Sequence, residues 1–367
     1  MLFNHNKWMN YAILLAKRSK GITGKNPPVG CVIVKNDILL SSGRTSSSGR
    51  PHAEENAINS VKDKNNLSGS TMYVTLEPCA HKNLTGMSCA KLIAKSGILE
   101  IFISCIDPDP RTAGKGITIL EKNNIKVYQN YLQGDCLDIY DGFFSRILNK
   151  KPFISIKIAC SLDGKIALNN NQSKWITNDL SRNYSHLIRS QNDAIMTTSS
   201  TIIADNPEMN CRLAGLQNRS PTKVILDRYL KVTHDFKIYN SLPNTAILTY
   251  SLLEAAKKFT KNKKIKNIKI KKGLSNIKYF NTIFNDLAIR GINNLLIEAG
   301  SKINTILLSL GLIDKILIFR SGKIIGNDGL PMIDNLNIHS MYSVKNYKLS
   351  YLRTFDDDVL EIRKFNK

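Results

Sequence analysis

The fold of the first half of the chain is decided by the stretch GRPHAEENAINSVK, residues 49–62, together with TMYVTLEPC, residues 71–79. Pro51 precedes a run with a helical pattern, so we expect that helix to begin near His52, with His52 and Glu54 on its first turn. The apolar run that follows predicts a strand over Thr71–Leu76. A strand that alternates with a helix is the unit from which layered α/β folds are built.

The same alternation continues on both sides of this stretch. An apolar strand is expected at Val29–Val34, a helix at about Cys89–Ser96 and a further strand at Ile101–Ile106. The first half is therefore predicted to be an α/β domain in which helices cover a sheet.

The second half begins where Lys150, Lys151 and Pro152 interrupt a helical pattern and a new strand starts at Phe153. A chain of 367 residues is also longer than one hydrophobic core usually supports. We therefore expect two domains, residues 1–148 and residues 149–367, without an internal repeat or a long linker. Strands in the second domain are expected at Phe153–Ile158, Ala194–Met196, Val224–Leu226, Ala246–Thr249, Asn294–Ile297 and Lys315–Phe319.

The composition limits the class of protein. The sequence has no run of about 18 apolar residues and no secretory signal pattern at its start, so we expect a soluble protein of the cytoplasm. Its seven cysteines are an odd number, which fits reduced thiols better than a set of disulfides. Cys31, Cys105 and Cys160 lie in apolar strand-like runs and are expected in the core.

The formal charge of +23 would suit a nucleic-acid partner, because clustered lysines and arginines neutralise phosphates. The lysines are instead interleaved with Asn and Ile, as in KNKKIKNIKIKK, residues 261–272. This pattern is typical of tolerant surface positions that coding bias fills with Lys and Asn. We therefore expect no nucleic-acid partner.

His52, Cys79 and Cys89 carry the predicted chemistry of the first domain. One imidazole and two thiolates give Zn²⁺ three of its four preferred ligands and leave a position for water, which is the composition of a catalytic site. Zinc lowers the pKa of bound water, so a hydroxide nucleophile is expected near neutral pH. Glu54 is expected to move the protons, and the positive end of its helix favours both hydroxide and carboxylate.

Each of these residues alone has an ordinary structural interpretation, since single cysteines are often small buried hydrophobes. Their combination with Pro-His-Ala-Glu and Glu-Pro-Cys elements predicts zinc binding. His81 is as well explained by a loop position without a role as by a place near the site. The zinc site allows two other interpretations of the protein: a deaminase of tRNA or single-stranded nucleic acid with a basic accessory domain, or a structural zinc module that serves as a binding protein. The long Cys79–Cys89 loop does not favour the first interpretation. Glu54 does not favour the second, because a closed structural site would use a fourth protein ligand.

Longer motifs resemble those of a known family. His52, Glu54, Pro78 and Cys79 are similar to the zinc nucleobase deaminases. The ten-position spacing of the two cysteines resembles the bifunctional riboflavin biosynthesis enzymes, which join a diaminohydroxyphosphoribosylaminopyrimidine deaminase to an aminouracil reductase. The shared motifs are NPPVGCVIV (26–34), GRPHAE (49–54), VTLEPCAH (74–81), DPDPRTAGKG (107–116), KIACSLDGKIA (157–167), SKWIT (173–177), IADNP (203–207) and IEAG (297–300).

The chain departs from the family pattern at several positions. The loop between the two cysteines has one extra residue, and Leu84 stands where a basic residue precedes Thr85. Thr45 replaces a histidine, and Arg228 stands where serine is common. The three metal ligands are retained.

The resemblance implies a cytidine-deaminase-like α/β/α sandwich followed by a dihydrofolate-reductase-like α/β domain. It implies that zinc hydroxide deaminates 2,5-diamino-6-(5-phosphoribosylamino)pyrimidin-4-one, with Glu54 as the proton carrier. NADPH-dependent reduction of the ribosyl chain then gives 5-amino-6-(5-phosphoribitylamino)uracil. The expected partners are this small phosphorylated pyrimidine and, in a homo-oligomer, further copies of the chain, although the sequence itself does not show the oligomeric state.

The resemblance also assigns the reductase contacts, because no Gly-x-Gly-x-x-Gly follows a strand and the residue pattern alone does not locate a dinucleotide site. Gly300 can nevertheless begin a helix whose free amides receive a phosphate. Without the resemblance, Trp175 would be taken as a core aromatic and Asp205 as a turn residue. The implied NADPH contacts are Ala159, Trp175, Thr201, Asp205, Gly300, Ser301, Lys302, Ile303, Asn304, Thr305 and Ile306. The implied substrate contacts are Ser173, Arg189, Met209, Arg212 and Glu298, with Arg189 and Arg212 suited to its phosphate.

Overall fold

A computed structural model describes residues 4–81, 86–241, 245–254 and 264–365. The chain divides into two compact units, Met1–Lys151 and Pro152–Lys367. A helix ends at Asn149, where Lys150 adopts the left-handed conformation with φ 55°, and the next strand begins at Phe153. The strand start at Phe153 is therefore confirmed, and Pro152 adds a residue that cannot continue a helix.

The first unit is built on a five-stranded sheet in the order β2-β1-β3-β4-β5. Its elements are α1 His5–Arg18, β1 Gly30–Lys35, β2 Ile38–Arg44, α2 Ala53–Ser60, β3 Thr71–Leu76, α3 Cys89–Ala94, β4 Glu100–Cys105, α4 Lys115–Glu121, β5 Lys126–Tyr128 and α5 Gln133–Asn149. Every residue of the central strand β3 is buried. Helices α1 and α5 pack together, and α2, α3 and α4 form a second contiguous group, so the sheet is covered by helices as expected.

Local sequence explains where the helices of this unit begin. The Asn4 side chain accepts a hydrogen bond from the Lys7 amide at the start of α1, and Ser88 does the same for Lys91 at the start of α3. Helix α2 has no such side-chain cap, and Glu54 and Glu55 lie in its first turn. Their negative charge is stabilised there by the helix dipole.

The second unit contains a nine-stranded sheet in the order β11-β10-β9-β8-β12-β6-β13-β16-β15. Its elements are β6 Phe153–Cys160, β7 Lys165–Leu168, α6 Asp179–Ser190, β8 Ala194–Thr198, α7 Ser199–Asp205, β9 Thr222–Leu226, α8 Lys237–Asn240, β10 Ile247–Ser251, β11 Ile265–Lys269, α9 Asn276–Ile289, β12 Asn294–Ile297, α10 Ser301–Ser309, β13 Lys315–Arg320, β14 Gly329–Pro331, β15 Tyr347–Phe355 and β16 Asp358–Phe365. The strands from β11 to β13 are parallel, and β16 and β15 continue the sheet antiparallel.

The strand order of the second unit predicts where its ligands bind. The chain runs outward from β8 to β11 and then returns to place β12 between β8 and β6. Such a reversal opens a crevice beyond the carboxyl ends of the strands, and open α/β sheets bind ligands in that crevice. The residues that follow β8 and β12, including Thr201 and Gly300, lie at this edge.

The expected strands are confirmed, with ends that differ by at most two residues from those observed. Asn294–Ile297 agrees at both ends. Cys31, Cys105 and Cys160 are fully buried, which confirms their expected place in the core. No helix in the described ranges is long and apolar enough to span a membrane.

Candidate active sites

Three separate elements of the first unit bring together the predicted metal ligands. His52 is the residue that precedes the first turn of α2, Cys79 follows β3, and Cys89 is the first residue of α3. Their ligand atoms all lie within 4.8 Å of one another. The three side chains that the sequence predicts as ligands therefore lie at neighbouring helix and strand ends.

The spacing of these atoms fits a zinc ion. The Nδ1 atom of His52 lies 3.3 Å from the Cys89 sulfur and 3.7 Å from the Cys79 sulfur. With Zn–S near 2.3 Å and Zn–N near 2.0 Å, the edges of a tetrahedral site come to roughly 3.6 Å. The two thiols and the imidazole thus have the donor types and the separations that zinc requires.

Glu54 lies beside this cluster and is almost completely buried. Burial raises the pKa of Glu54 to about 7, although the nearby His52 imidazole acts in the opposite direction. A carboxyl group that titrates near neutral pH exchanges protons readily with water and with a ring nitrogen. The structure therefore places a group suited to proton transfer where the sequence predicted one.

The two thiols are not equivalent. A hydrogen bond from the Cys89 thiol lowers the pKa of Cys79, and the His52 ring acts in the same direction. The Cys89 backbone amide also donates to the Cys79 sulfur over 3.4 Å. Donors that stabilise a thiolate favour metal binding, because the ligand form of cysteine is deprotonated.

Glu77 supports the segment that carries Cys79. Its carboxylate accepts hydrogen bonds from four backbone amides, over 3.0–3.3 Å, those of Asp107, Gly114, Gly116 and Ile117. Burial raises the pKa of Glu77, and these amide bonds oppose that rise. A single side chain thereby ties the end of β3 to the loop and helix start that follow β4.

A cavity of about 730 Å³ adjoins the cluster, which is a size that suits a small-molecule ligand. His81 lines this cavity and contacts the Thr112 hydroxyl over 3.3 Å, so it lies near the site. Thr45 also lines it, with a hydroxyl group that donates to Pro27 and accepts from Val29. Leu84 and the other residues of 82–85 lie outside the described residues, so the altered loop has no structural account.

The second unit has two adjoining cavities of about 520 Å³ and 380 Å³ at the carboxyl edge of its sheet. Five of the predicted contact residues line both cavities, namely Ala159, Ser173, Arg189, Asp205 and Met209. Trp175 and Arg212 line only the larger cavity, and Thr201, Glu298 and Gly300 line only the smaller one. Residues 301–306 form the first turns of α10 and do not line either cavity within the described ranges.

Arg189 and Glu298 form a bidentate ion pair in the cleft wall, with both nitrogen–oxygen distances at 2.8 Å. Their side chains are only 14% and 13% exposed, so solvent screens the pair little. Burial alone would raise the pKa of Glu298, but the Arg189 guanidinium outweighs it and the pKa falls to about 2. Two of the Arg189 nitrogens that were expected to meet a phosphate therefore already meet a carboxylate.

The start of α10 fits a bound phosphate group. Gly300 precedes the helix without a side-chain cap, and a Cβ built on it would meet nothing within 4 Å. The Ser301 hydroxyl oxygen is buried without a hydrogen-bond partner among the described residues. Free amides and an unsatisfied hydroxyl at a helix start are what the pyrophosphate of a dinucleotide requires.

Trp175 is 61% exposed, so it is not a core aromatic, and the Arg182 guanidinium lies 4.3 Å from its ring centre. The Ser173 hydroxyl lies 3.4 Å from an Asp205 carboxylate oxygen. Arg212 is half-exposed at the cavity, with Glu208 3.7 Å away. The exposed Arg228 lies outside both cavities and places its guanidinium 4.7 Å from the ring centre of Tyr279.

Sequence reasoning missed Lys157, which lines both cavities of the second unit. Burial lowers the pKa of Lys157, and the adjacent Glu298 opposes that effect. A lysine inside the apolar strand run FISIKIA is the signal that identifies it, because charged residues are seldom placed in a buried strand without a partner. Arg50, which lines the cavity of the first unit, was also missed.

Comparisons with known proteins identify the two domains of the chain. Residues 3–105 match the cytidine and deoxycytidylate deaminase zinc-binding region, and residues 152–360 match the RibD C-terminal domain. The chain is 33% identical to the riboflavin biosynthesis protein RibD of Buchnera aphidicola subsp. Baizongia pistaciae over 96% of each chain. It is 35% identical to that of Aquifex aeolicus over 91% of each.

Solved structures give the same result. RibD of Acinetobacter baumannii matches with a TM-score of 0.88 at 30% identity, over 98% of each chain. A diaminohydroxyphosphoribosylaminopyrimidine deaminase/5-amino-6-(5-phosphoribosylamino)uracil reductase from Thermotoga maritima matches with a TM-score of 0.86 at 32% identity, over 98% of each chain. The predicted fold classes and the resemblance are confirmed. The chain belongs to the RibD family of riboflavin biosynthesis proteins, whose members combine a zinc-binding deaminase domain with a reductase domain.

Proposed function

We propose that residues 1–148 deaminate 2,5-diamino-6-(5-phosphoribosylamino)pyrimidin-4-one and that residues 149–367 reduce the ribosyl chain of the product with NADPH. The observation that carries the proposal is the cluster of His52, Cys79 and Cys89 at zinc-like spacing, next to a carboxyl group whose pKa is about 7. The reaction order is supported by the name of the Thermotoga maritima relative, because the substrate of its reductase, 5-amino-6-(5-phosphoribosylamino)uracil, is the deaminated form of the pyrimidine.

In the deaminase, His52, Cys79 and Cys89 would hold zinc. When bound, zinc lowers the pKa of water so that a nucleophile is available near neutral pH. Glu54 would accept the proton that this water loses and pass it to the ring nitrogen. A second proton, from the hydroxyl group added to the ring carbon, would then pass through the Glu54 carboxylate to the amino group, which leaves as ammonia. The burial of Glu54 suits this role, because a carboxyl group with a pKa near 7 both accepts and donates a proton at neutral pH.

In the reductase, the start of α10 and Thr201 would hold the phosphates of NADPH, and Trp175 its nicotinamide end. When bound, NADPH supplies a hydride to C1 of the ribosyl chain. The ion pair of Arg189 with Glu298 gives the cleft a rigid polar wall against which the substrate is oriented. Arg212 is more accessible than Arg189, and we assign the substrate phosphate to it.

Glu54→Gln tests the two-site assignment. The variant should keep its zinc and release no ammonia from the diaminopyrimidine nucleotide, because an amide cannot carry the proton. It should still oxidise NADPH when it is given the deaminated nucleotide. The matched control is Glu55→Gln, which changes the neighbouring acid in the same helical turn and should keep both activities.

Mass analysis of the products, with and without NADPH, separates the two steps. Loss of both activities from a folded, zinc-containing Glu54→Gln protein would contradict the proposal. Activity on tRNA or single-stranded DNA in place of the nucleotide would support the alternative deaminase. Homo-oligomerisation and a cytoplasmic location remain predictions, to be checked by light scattering and cell fractionation.

A further inference from the structure

Arg50 is a cation in the cavity of the first unit, and it forms no ion pair with a carboxylate in the described part of the chain. It lies two positions before His52, in the segment that leads into α2, and it lines the cavity together with His52, Glu54 and Cys79. Its guanidinium group makes no hydrogen bond or ion pair with any described residue, and its Nη1 atom is buried without a partner. A buried, unpaired guanidinium nitrogen is costly, so such groups usually mark a place where an anion binds.

Three of the four acidic groups of the same cavity, Glu77, Asp107 and Asp109, have other hydrogen-bond partners. Glu77 accepts four backbone amides, as described above. Asp109 accepts three side-chain hydrogen bonds from Arg111, one of which is the 2.5 Å contact of their ion pair. Asp107 accepts the Asp109 amide over 2.8 Å. None of these three carboxylates forms a hydrogen bond or an ion pair with Arg50.

The other two arginines of the cavity already have partners. Arg111 is paired with Asp109. Arg146 donates to the Lys25 carbonyl oxygen over 2.7 Å and lies 5.5 Å from the ring centre of Phe143. Among the cavity's arginines, Arg50 therefore has the most unused hydrogen-bonding capacity in the described part of the chain.

We infer that Arg50 binds the phosphate group of the pyrimidine nucleotide in the deaminase site. A guanidinium group offers a planar pair of N–H donors that matches two phosphate oxygens, and such charge-assisted bonds are stronger than neutral ones. This inference rests on the proposed deaminase function and names the residue that selects a phosphorylated substrate over the free nucleoside. The competing role for Arg50 is to offset the negative charge of the Cys79 and Cys89 thiolates.

The test compares two substrates in two proteins. Deamination by the wild-type protein and by Arg50→Gln is measured with the phosphorylated nucleotide and with its dephosphorylated nucleoside. Loss of two charge-assisted hydrogen bonds should raise KM for the nucleotide on the order of 10- to 100-fold, with little change in kcat. KM for the nucleoside should be the same in both proteins. Arg50→Lys keeps the positive charge but lacks the planar pair of N–H donors, so its KM for the nucleotide should be intermediate.

Inorganic phosphate provides a second measurement. It should inhibit the wild-type deaminase competitively, and Arg50→Gln should need a markedly higher phosphate concentration for the same inhibition. Arg44→Gln is the matched control, because Arg44 lies nearby on β2, outside the cavity, and donates to the Arg18 carbonyl oxygen. Circular dichroism reports whether each variant is folded, and the zinc content reports separately whether the metal cluster is intact.

Three results would overturn the inference. The first is that Arg50→Gln raises KM equally for the nucleotide and the nucleoside. The second is that it changes neither KM. The third is that Arg50→Gln loses its zinc and has a lower kcat on both substrates. The last result would assign Arg50 to the thiolates of the metal cluster. If the wild-type protein deaminates neither compound, the proposed deaminase function fails instead, so the two failures are distinguishable.

Discussion

Replacing Glu298 with glutamine should destabilise the second unit by an amount that depends on pH. The pKa of this carboxyl group falls from 4.5 to about 2, and that difference corresponds to ~3 kcal/mol of favourable interaction in the folded state. The substitution leaves Arg189 without its ion pair and removes the negative charge of Glu298 that opposes the lowered pKa of Lys157. Removing one partner of a buried pair costs about 3–5 kcal/mol, because the remaining charge stays out of water.

The length of the second unit determines how far its melting temperature should fall. A unit of its length loses roughly 2–4 °C of melting temperature for each kcal/mol, so Glu298→Gln should unfold on the order of 10 °C lower at neutral pH. Differential scanning calorimetry of the full chain measures this shift. A chelator identifies the transition of the first unit, since removal of zinc should move that transition alone. The matched control is Glu254→Gln, which breaks the exposed pair with Lys269 and should leave the transition unchanged.

The sign of the pH dependence follows from the lowered pKa. The ionised Glu298 contributes its full stabilisation above about pH 4.5, and the contribution is lost as the pH falls through about 2. The difference in melting temperature between the wild-type protein and Glu298→Gln should therefore become smaller as the pH is lowered from about 4.5 to about 2. An unchanged melting temperature at neutral pH, or a difference that stays constant down to pH 2, would refute the reasoning.

Two further outcomes are expected from the first unit. Gly30→Ala should destabilise it by about 3 kcal/mol, measured by urea unfolding, because the new Cβ would lie 1.9 Å from the Ala12 carbonyl oxygen of α1. Gly134→Ala in α5 is its control, since nothing lies within 4 Å of that Cβ, and a stability loss as large as that of Gly30→Ala would argue against the packing explanation. Cys89→Ser should lose zinc by metal analysis, whereas Cys211→Ser in the second unit should keep one zinc per chain; equal zinc contents would exclude Cys89 as a ligand.

Much of the fold was predictable because the buried strands have a strong apolar signal. Strand β3 is buried along its whole length and appears in the sequence as the continuous run TMYVTL. Strand β15 was not predicted, since only its end residues Tyr347 and Phe355 are buried. A strand held by its partner β16, rather than by the core, has no apolar alternation for sequence reasoning to detect.

The metal cluster was predictable for a different reason. The chemistry of zinc restricts the ligand types, and His52, Cys79 and Cys89 stand at helix and strand ends that the sequence marks clearly. The pairing of Arg189 with Glu298 was not predictable from the residues, because the two are far apart in the chain and each would suit a ligand as well. Arg50 was missed because an unsatisfied nitrogen is a property of its surroundings, which the sequence does not show.

The bonds of Glu77 have a consequence for how this sequence can change over evolutionary time. Glu77 accepts hydrogen bonds from main-chain amides of residues 107–117, so a side-chain change in this segment does not by itself remove a hydrogen bond that supports Cys79. Gly116 is the exception, because a Cβ there would lie 2.1 Å from the Pro78 carbonyl oxygen. The support of Cys79 is therefore insensitive to most side-chain changes in this segment, whereas position 77 itself has little alternative to a carboxylate.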